Sequence, residues 1–263
     1  MLRALRDHWP NYCIEGTGLG LFMLATAGIV ILIESAASPL LQWMPDPTIR
    51  RIPIGVGVGV VAIAIIYSPW GKRSGAHLNP AVTLTFFRLG KLAPWDACFY
   101  VLAQFIGGWL GVLTAAALWQ RLFTDPPVRY IITVPGMGGW PLALITEFCL
   151  ALGLMLVILF SSNQPRFSQY TGLLAGCLVA SYIVFTAPIS GMSINPARTF
   201  ASALPAQVWT SFWIYYFMPP LGMLTAAELY LNITHRPPRT LCGKLCPNHE
   251  TPCPCRNCCR DQG

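Results

Sequence analysis

An octapeptide that occurs twice constrains this chain more than any other feature. Ser74-Gly75-Ala76-His77-Leu78-Asn79-Pro80-Ala81 returns as Ser190-Gly191-Met192-Ser193-Ile194-Asn195-Pro196-Ala197. Ser, Gly, Asn, Pro and Ala keep their places, and a Thr stands at the same distance beyond each Asn (Thr83 and Thr199). Asn is a good helix N-cap because its side-chain oxygen accepts from N–H groups of the first turn. Pro suits the first helical position, where its missing N–H leaves no bond unmade. Each copy therefore reads as a loop that turns into a short helix beginning at the Asn.

The surroundings decide what such helix starts can be. Of 263 residues, 54% are hydrophobic and only 10% charged, against ~25% charged in a soluble domain. That places the chain in a membrane class. A spanning helix needs ~20 apolar residues, and six such segments with their connections use up the length, so no large soluble domain is expected. The apolar run from Ile14 to Ile33, behind Arg3, Arg6 and Asp7, contains Glu15 and is too long for the core of a secretory signal. It reads as a retained first span. The net charge of +7 fits loops that collect Lys and Arg on the cytoplasmic side of a membrane; no nucleic-acid partner is expected.

The spans fall at about 14–34, 52–67, 94–119, 141–160, 170–186 and 208–231, with short half-helices from Pro80 to near Arg88 and from Pro196 to Pro205. Each half thus holds two spans, a motif, a half-helix and a third span. An odd number of spans inverts the second half relative to the first, giving inverted repeats over about 10–120 and 140–231 with a site near the midplane. The expected fold is an all-α membrane protein of six transmembrane helices plus two half-helices. Residues 1–231 form the channel domain and residues 232–263 a Cys-rich cytoplasmic tail. A helix start at membrane depth survives only when buried in protein or lining a water-filled cavity, so two of them, one per half, point to a pore. With both termini cytoplasmic, Arg3, Arg6, Lys72, Arg73, Arg88, Lys91, Arg166 and the tail's basic residues lie inside. Arg50, Arg51, Arg121, Arg129 and Arg198 lie outside. The bias favours that orientation.

Asn79 and Asn195 are the leading pore candidates. Each half-helix N-terminus carries roughly half a positive charge, and two of them facing across a pore repel cations and hydronium. An Asn that holds its loop through the carbonyl oxygen keeps N–H donors for passing water, which interrupts a proton-conducting chain of waters. Arg198, three residues past Asn195, is a permanent charge in a membrane segment, and such charges mark function; it is expected at the outer mouth. Glu15 and Glu147 open spans one and four, equivalent places in the two halves. A buried carboxylate without partners is costly, so each is expected to buttress a motif loop by accepting its N–H groups. His77 is placed in the inner vestibule.

These paired loops, with Val82 after the first and Arg198 after the second, resemble the signature loops of the aquaporin (major intrinsic protein) family. The resemblance covers about residues 10–232. It implies a six-helix barrel with two half-helices, one pore per subunit and a homotetramer. The family's four-position constriction, counted from the motifs without gaps, falls on Gly59, Ile183, Met192 and Arg198; a one-residue slip puts Val58 first. Either set lacks the aromatic ring and the His typical of water-selective members, which leaves solutes larger than water open. Other markers point toward water channels. Thr199 stands where glycerol facilitators usually have Asp, and Ala203 where they usually have a basic residue. The last span carries Tyr215-Tyr216-Phe217.

The tail lies outside that resemblance. Cys242, Cys246, His249, Cys253, Cys255, Cys258 and Cys259 crowd into it. In a cytoplasmic setting stable disulfides are rare, so Zn or Fe is the sharper reading. Cys13, Cys98, Cys149 and Cys177 are scattered in the spans as small apolar residues. The sequence thus supports a passive channel for water and small neutral solutes that excludes protons and ions. It is expected to be no enzyme, to need no cofactor in the pore, and to sit multi-pass in the plasma (inner) membrane. One alternative is a glycerol, small-solute, metalloid or gas facilitator with a metal- or redox-sensing tail. A coupled secondary transporter is the other, though it would need more buried acids than Glu15 and Glu147.

Overall fold

The computed structural model describes residues 1–237 and 241–247, and every regular element among them is helical. The eight longer helices are α1 (Leu2–Glu34), α2 (Pro47–Tyr67), α3 (Pro80–Arg88), α4 (Pro94–Trp119), α5 (Gly139–Ser162), α6 (Thr171–Ser190), α7 (Pro196–Ala206) and α8 (Phe212–Thr234). Helices α1, α2, α4, α5 and the run ending in α6 are long and apolar enough to cross a membrane. Helix α8 has 23 residues and takes the sixth place by its packing, despite Trp213, Pro219, Pro220 and three Tyr that lower its hydropathy.

The packing repeats between halves. Helix α1 lies along α4 as α5 lies along α8; α1 meets α2 as α5 meets α6; α7 leans on α4 as α3 leans on α8; and α2 crosses α6 at the seam. Each half-helix sits in its own apolar cluster. Val82 and Phe86 of α3 pack with Leu154, Ile158, Met223 and Tyr230, and with Leu241, Leu245 and Cys246 from beyond α8. Ala197 and Ala201 of α7 pack with Leu19, Met23, Val112 and Ala115, and with Phe123, Val128 and Ile131 from the α4–α5 connection.

Several ends differ from the sequence expectation for local reasons. Helix α1 starts at Leu2, carrying Arg3 and Arg6 on the same helix as the first span. Its early turns are tied down by Asp96 in the first turn of α4, which accepts from Tyr12 Oη at 2.6 Å and pairs with His8 Nδ1 at 2.9 Å. Helix α2 starts at Pro47 because Asp46 caps it, accepting from Thr48 N at 2.7 Å. That N–H holds the Asp46 carboxyl below the usual carboxylate range. Helix α6 runs on to Ser190, straight into the second motif. Helix α8 begins only at Phe212, after Ser211 takes a left-handed backbone (φ 51°). Glu228, near the end of α8, pairs with Arg88 at 2.8 Å.

Candidate functional site

Both motif loops are built alike. A helix ends in a left-handed glycine, Gly75 (φ 98°) in one copy and Gly191 (φ 79°) in the other, conformations that a side chain would strain. The next residues alternate in and out of the left-handed region, Ala76 and Leu78 in the first loop, Met192 and Ile194 in the second. Such a backbone turns its N–H groups to one side, and a carboxylate collects them. Glu15 Oε1 accepts from Ser74 Oγ (2.7 Å) and His77 N (3.0 Å), and Oε2 from Leu78 N (2.6 Å). Glu147 Oε1 accepts from Ser190 Oγ (2.7 Å) and Ser193 N (2.9 Å), and Oε2 from Ile194 N (2.7 Å). Both carboxylates are 0% exposed. A tyrosine closes each loop from behind, Tyr100 Oη donating to Ser74 O at 2.7 Å and Tyr215 Oη to Ser190 O at 2.6 Å. The two tyrosines lie on α4 and α8, and pattern reading of the chain does not single out this matching pair for that role.

The loops meet through their capping residues. Asn79 Oδ1 accepts from Ala81 N at 2.9 Å, and Asn195 Oδ1 accepts from Ala197 N at 3.1 Å and Arg198 N at 3.2 Å. The amide of each reaches the other loop: Asn79 Nδ2 donates to Ile194 O and Asn195 Nδ2 to Leu78 O, both at 2.8 Å. This departs from the expectation that the amide donors face only the pore, because one N–H of each ties the half-helix starts together. An amide carries a second N–H, and both asparagines line a common cavity of about 290 Å³. Pro80 and Pro196 open the half-helices and Ala81 and Ala197 are buried beneath them.

That cavity runs between the two motif loops. Helix α1 contributes Phe22 and Thr26, α2 contributes Val58, Ala62 and Ile66, α5 Leu154 and Ile158, and α6 Val179 and Ile183. Met192 and Arg198 from the second loop border it too, with Val128, Ile131 and Ile132 from the α4–α5 connection. Arg198 Nη1 donates to Ile131 O at 2.8 Å. Of the four positions expected at the constriction, Ile183, Met192 and Arg198 line this cavity together, and Gly59 does not. A Cβ on Gly59 would stand 2.7 Å from Gly176 O and 2.9 Å from Ala180 Cβ. That face of α2 is the seam with α6, and the wall position belongs to Val58.

Thr26 is a lining residue that motif reading misses. It is 6% exposed, it borders the cavity, and its buried hydroxyl has no hydrogen-bond partner among the described residues. A single Thr in an apolar span carries no signal that distinguishes wall from lipid face.

His77 is on the cavity wall, but its ring is engaged. Nε2 donates to Gly243 O at 3.0 Å, and Nδ1 meets Thr83 Oγ1 at 3.2 Å. The tail segment that supplies Gly243 is buried. Cys242 and Cys246 are buried, Cys246 within the apolar cluster around α3, and burial pushes the Cys246 thiol up, against Lys72 and Lys244, which pull it down. No group of three or more His, Cys, Asp or Glu able to hold a metal occurs among the described residues. Cys242 and Cys246 by themselves supply two of the four ligands that a zinc site usually takes. His249, Cys253, Cys255, Cys258 and Cys259 lie outside the described residues. Cys13, Cys98, Cys149 and Cys177 are exposed on the helix surfaces.

Comparison with known proteins agrees with this architecture. The family model described as major intrinsic protein matches residues 5–230. A probable NIP-type aquaporin of Nicotiana alata is 36% identical over 188 residues, 70% of this chain and 67% of that protein. The aquaporin NIP2-3 of Zea mays is 33% identical over 213 residues, 80% of this chain and 67% of that protein. The X-ray structure of the aquaglyceroporin from Plasmodium falciparum superposes with a TM-score of 0.74 at 19% identity, covering 87% of this chain and 97% of that one, a likeness of fold. With the paired half-helices, the buttressed loops and a family match over most of its length, the chain belongs to the major intrinsic protein family.

Proposed function

We propose that the chain is a passive membrane channel for water and small neutral solutes, working without a cofactor in the pore and without catalysis. The observation that carries this is the meeting of Asn79 and Asn195 on one cavity, each at the start of a half-helix and each bound to the opposite loop. Two helix N-termini then present positive ends to the same point. The second N–H of each amide is offered to a water oxygen, so a water at that point accepts from both sides and cannot relay a proton through its own hydrogens. Arg198 adds a fixed positive charge on the same wall, repelling cations and replacing part of a neutral solute's hydration.

The constriction is assigned to Val58, Ile183, Met192 and Arg198. Val58 and Ile183 add no ring to the one that Phe22 sets on this wall, which favours a channel that also passes solutes larger than water. Residues 1–231 form the channel unit, four subunits assemble as a tetramer, and both termini face the cytoplasm of a plasma (inner) membrane. This orientation rests on the basic residues named above. The metal reading of the tail takes Cys242, Cys246, His249, Cys253, Cys255, Cys258 and Cys259 as candidate ligands, and elemental analysis of purified protein tests it. Stopped-flow light scattering of proteoliposomes, with water, glycerol and urea gradients in turn, tests the channel reading. Water flux above that of empty liposomes supports it, and none in the folded protein rejects it.

A further inference from the structure

Residues 241–247 occupy a place that the pore itself leaves open. They lie at the mouth of the cavity on the first-motif side. Leu245 N donates to Gly75 O at 3.0 Å, and Gly243 O accepts from His77 Nε2 at 3.0 Å. Cys242 N donates to Asn163 Oδ1 at 2.7 Å, while Arg236 Nη1 donates to Asn163 O at 2.7 Å, so the turn after α5 holds the segment and the end of α8 together. Leu241, Cys242, Lys244, Leu245 and Cys246 are all 6% exposed or less. The side chain of Leu245 lines the cavity itself, on the wall shared with Ile66, His77, Asn79 and Ile158. The segment thus takes the polar groups that a permeating solute would meet at this mouth, the Gly75 carbonyl and the His77 ring, and sets an isobutyl group beside the path.

The opposite mouth provides the contrast. There the α4–α5 connection covers the second loop: Ile131 O accepts from Arg198, Thr133 Oγ1 bonds Thr199 Oγ1 at 2.8 Å, and Thr133 and Val134 press on Gly191. That connection is fixed by a span at each end. Residues 241–247 follow α8 and belong to no helix among the described residues, so their departure unwinds none of those helices.

We propose that residues 241–247 are an intramolecular plug, with Leu245 as the stopper and Gly75, His77 and Asn163 as its seat, so that this structure is the closed channel and release of the tail opens it. The proposal rests on the channel reading above. A tethered segment acts at an effective concentration in the roughly millimolar range, which keeps the seat filled. Burial of a leucine is worth roughly tenfold or more in a seated-to-released ratio. Replacing Leu245 by a charged residue should therefore empty the seat.

The test uses full-length protein, Leu245→Asp, and a chain ending at Pro237, each reconstituted in liposomes at a measured density of folded protein. Water permeability per channel should rise roughly tenfold in both variants, and a peptide of residues 241–247 enclosed with and added to the truncated channel should lower it again. Equal, non-zero permeability of all three proteins overturns the plug. A folded truncated chain that passes neither water nor glycerol overturns the channel reading instead. A second readout is independent of flux: hydrogen–deuterium labelling of the Cys242 and Leu245 backbone amides, mapped by mass spectrometry. It should be slow in the full-length protein and as fast as in unfolded chain in Leu245→Asp. Fast labelling in the folded full-length protein overturns the plug even where a variant fails to fold.

Discussion

The two motif loops share a frame and differ in what the frame carries. Each is held by one carboxylate, one serine, one tyrosine and one capping asparagine, with bond lengths that match to within a few tenths of an ångström. The residues placed on that frame diverge. His77 in the first loop corresponds to Ser193 in the second, and Val82 on the first half-helix corresponds to Arg198 on the second. Thr83 takes part with Gln104 and His77, whereas Thr199 bonds Ser193 and Thr133. The parts common to both halves are those the backbone needs in order to exist at membrane depth. The parts that differ face the cavity or the segment that covers it, and there a duplicated frame is free to give two unlike mouths.

The largest expected effect tests the common frame. Glu15→Ala or Glu147→Ala strands at least three buried N–H and O–H donors at once, each costing about 1–3 kcal/mol. Either substitution should abolish recovery of folded protein from detergent extracts, and to a similar degree. Thermal unfolding of the milder Glu→Gln variants gives the graded comparison. A large inequality would show that one loop is held chiefly by its unshared partners, Gln104 Nε2 on Glu15 at 2.9 Å or the nearby Arg198 charge on Glu147.

Arg198→Val makes the second half resemble the first at this position, and it tests what the difference does. A unit charge a few ångströms from the path contributes about 1–4 kcal/mol at an intermediate dielectric. Proton or cation leak through proteoliposomes should therefore rise by about tenfold or more, while water flow persists. Unchanged ion conductance would assign cation exclusion to the half-helix ends alone.

A paired substitution on α2 comes next. Val58→Phe places a ring on the cavity wall and should cut glycerol and urea flux more than water flux. Gly59→Phe drives a ring into the carbonyl of Gly176, where overpacking costs about 1–3 kcal/mol or more. It should lower thermal stability and folded yield rather than alter selectivity. Reversal of the two outcomes would put Gly59 on the wall.

That pair also marks where the sequence stops being legible. The repeats, the capping asparagines and the buttressing carboxylates could be read because each answers a local demand, an unsatisfied N–H or a buried charge, with one residue type at a fixed offset. The phase of α2 could not. Ile54-Gly55-Val56-Gly57-Val58-Gly59 is apolar all round, so no polar face tells which side meets protein, and a gap-free count from Asn79 runs through the short helix Pro69–Ser74. The seat of residues 241–247 stayed hidden for the opposite reason. The tail's cysteines and prolines drew attention to metal chemistry, while the pair Leu241 and Leu245, which the cavity mouth buries, is too short a signal without the seat beside it.

Thr26→Val is the smallest expected effect and the sharpest in meaning. Thr26 and Val have nearly the same shape, so the wall keeps its contour and only a hydroxyl is lost. That hydroxyl is buried with no partner among the described residues, and leaving it dry carries a penalty of about 1–3 kcal/mol. The variant should therefore unfold no earlier, or slightly later, than the parent. For a permeant that uses the hydroxyl, loss of one hydrogen bond is worth about 1 kcal/mol, or roughly fivefold in rate. The α1, α2, α5 and α6 walls are otherwise apolar, so the Thr26 hydroxyl, once its side chain turns toward the cavity, is the group they can offer a polyol in exchange for hydration, while a single water can stay bonded to its neighbours in file. Glycerol permeability should fall by up to about fivefold and water permeability by less than half that. A variant with unchanged glycerol flux and higher stability would make Thr26 a polar atom that the fold merely tolerates, and would leave solute contacts to the two motif loops.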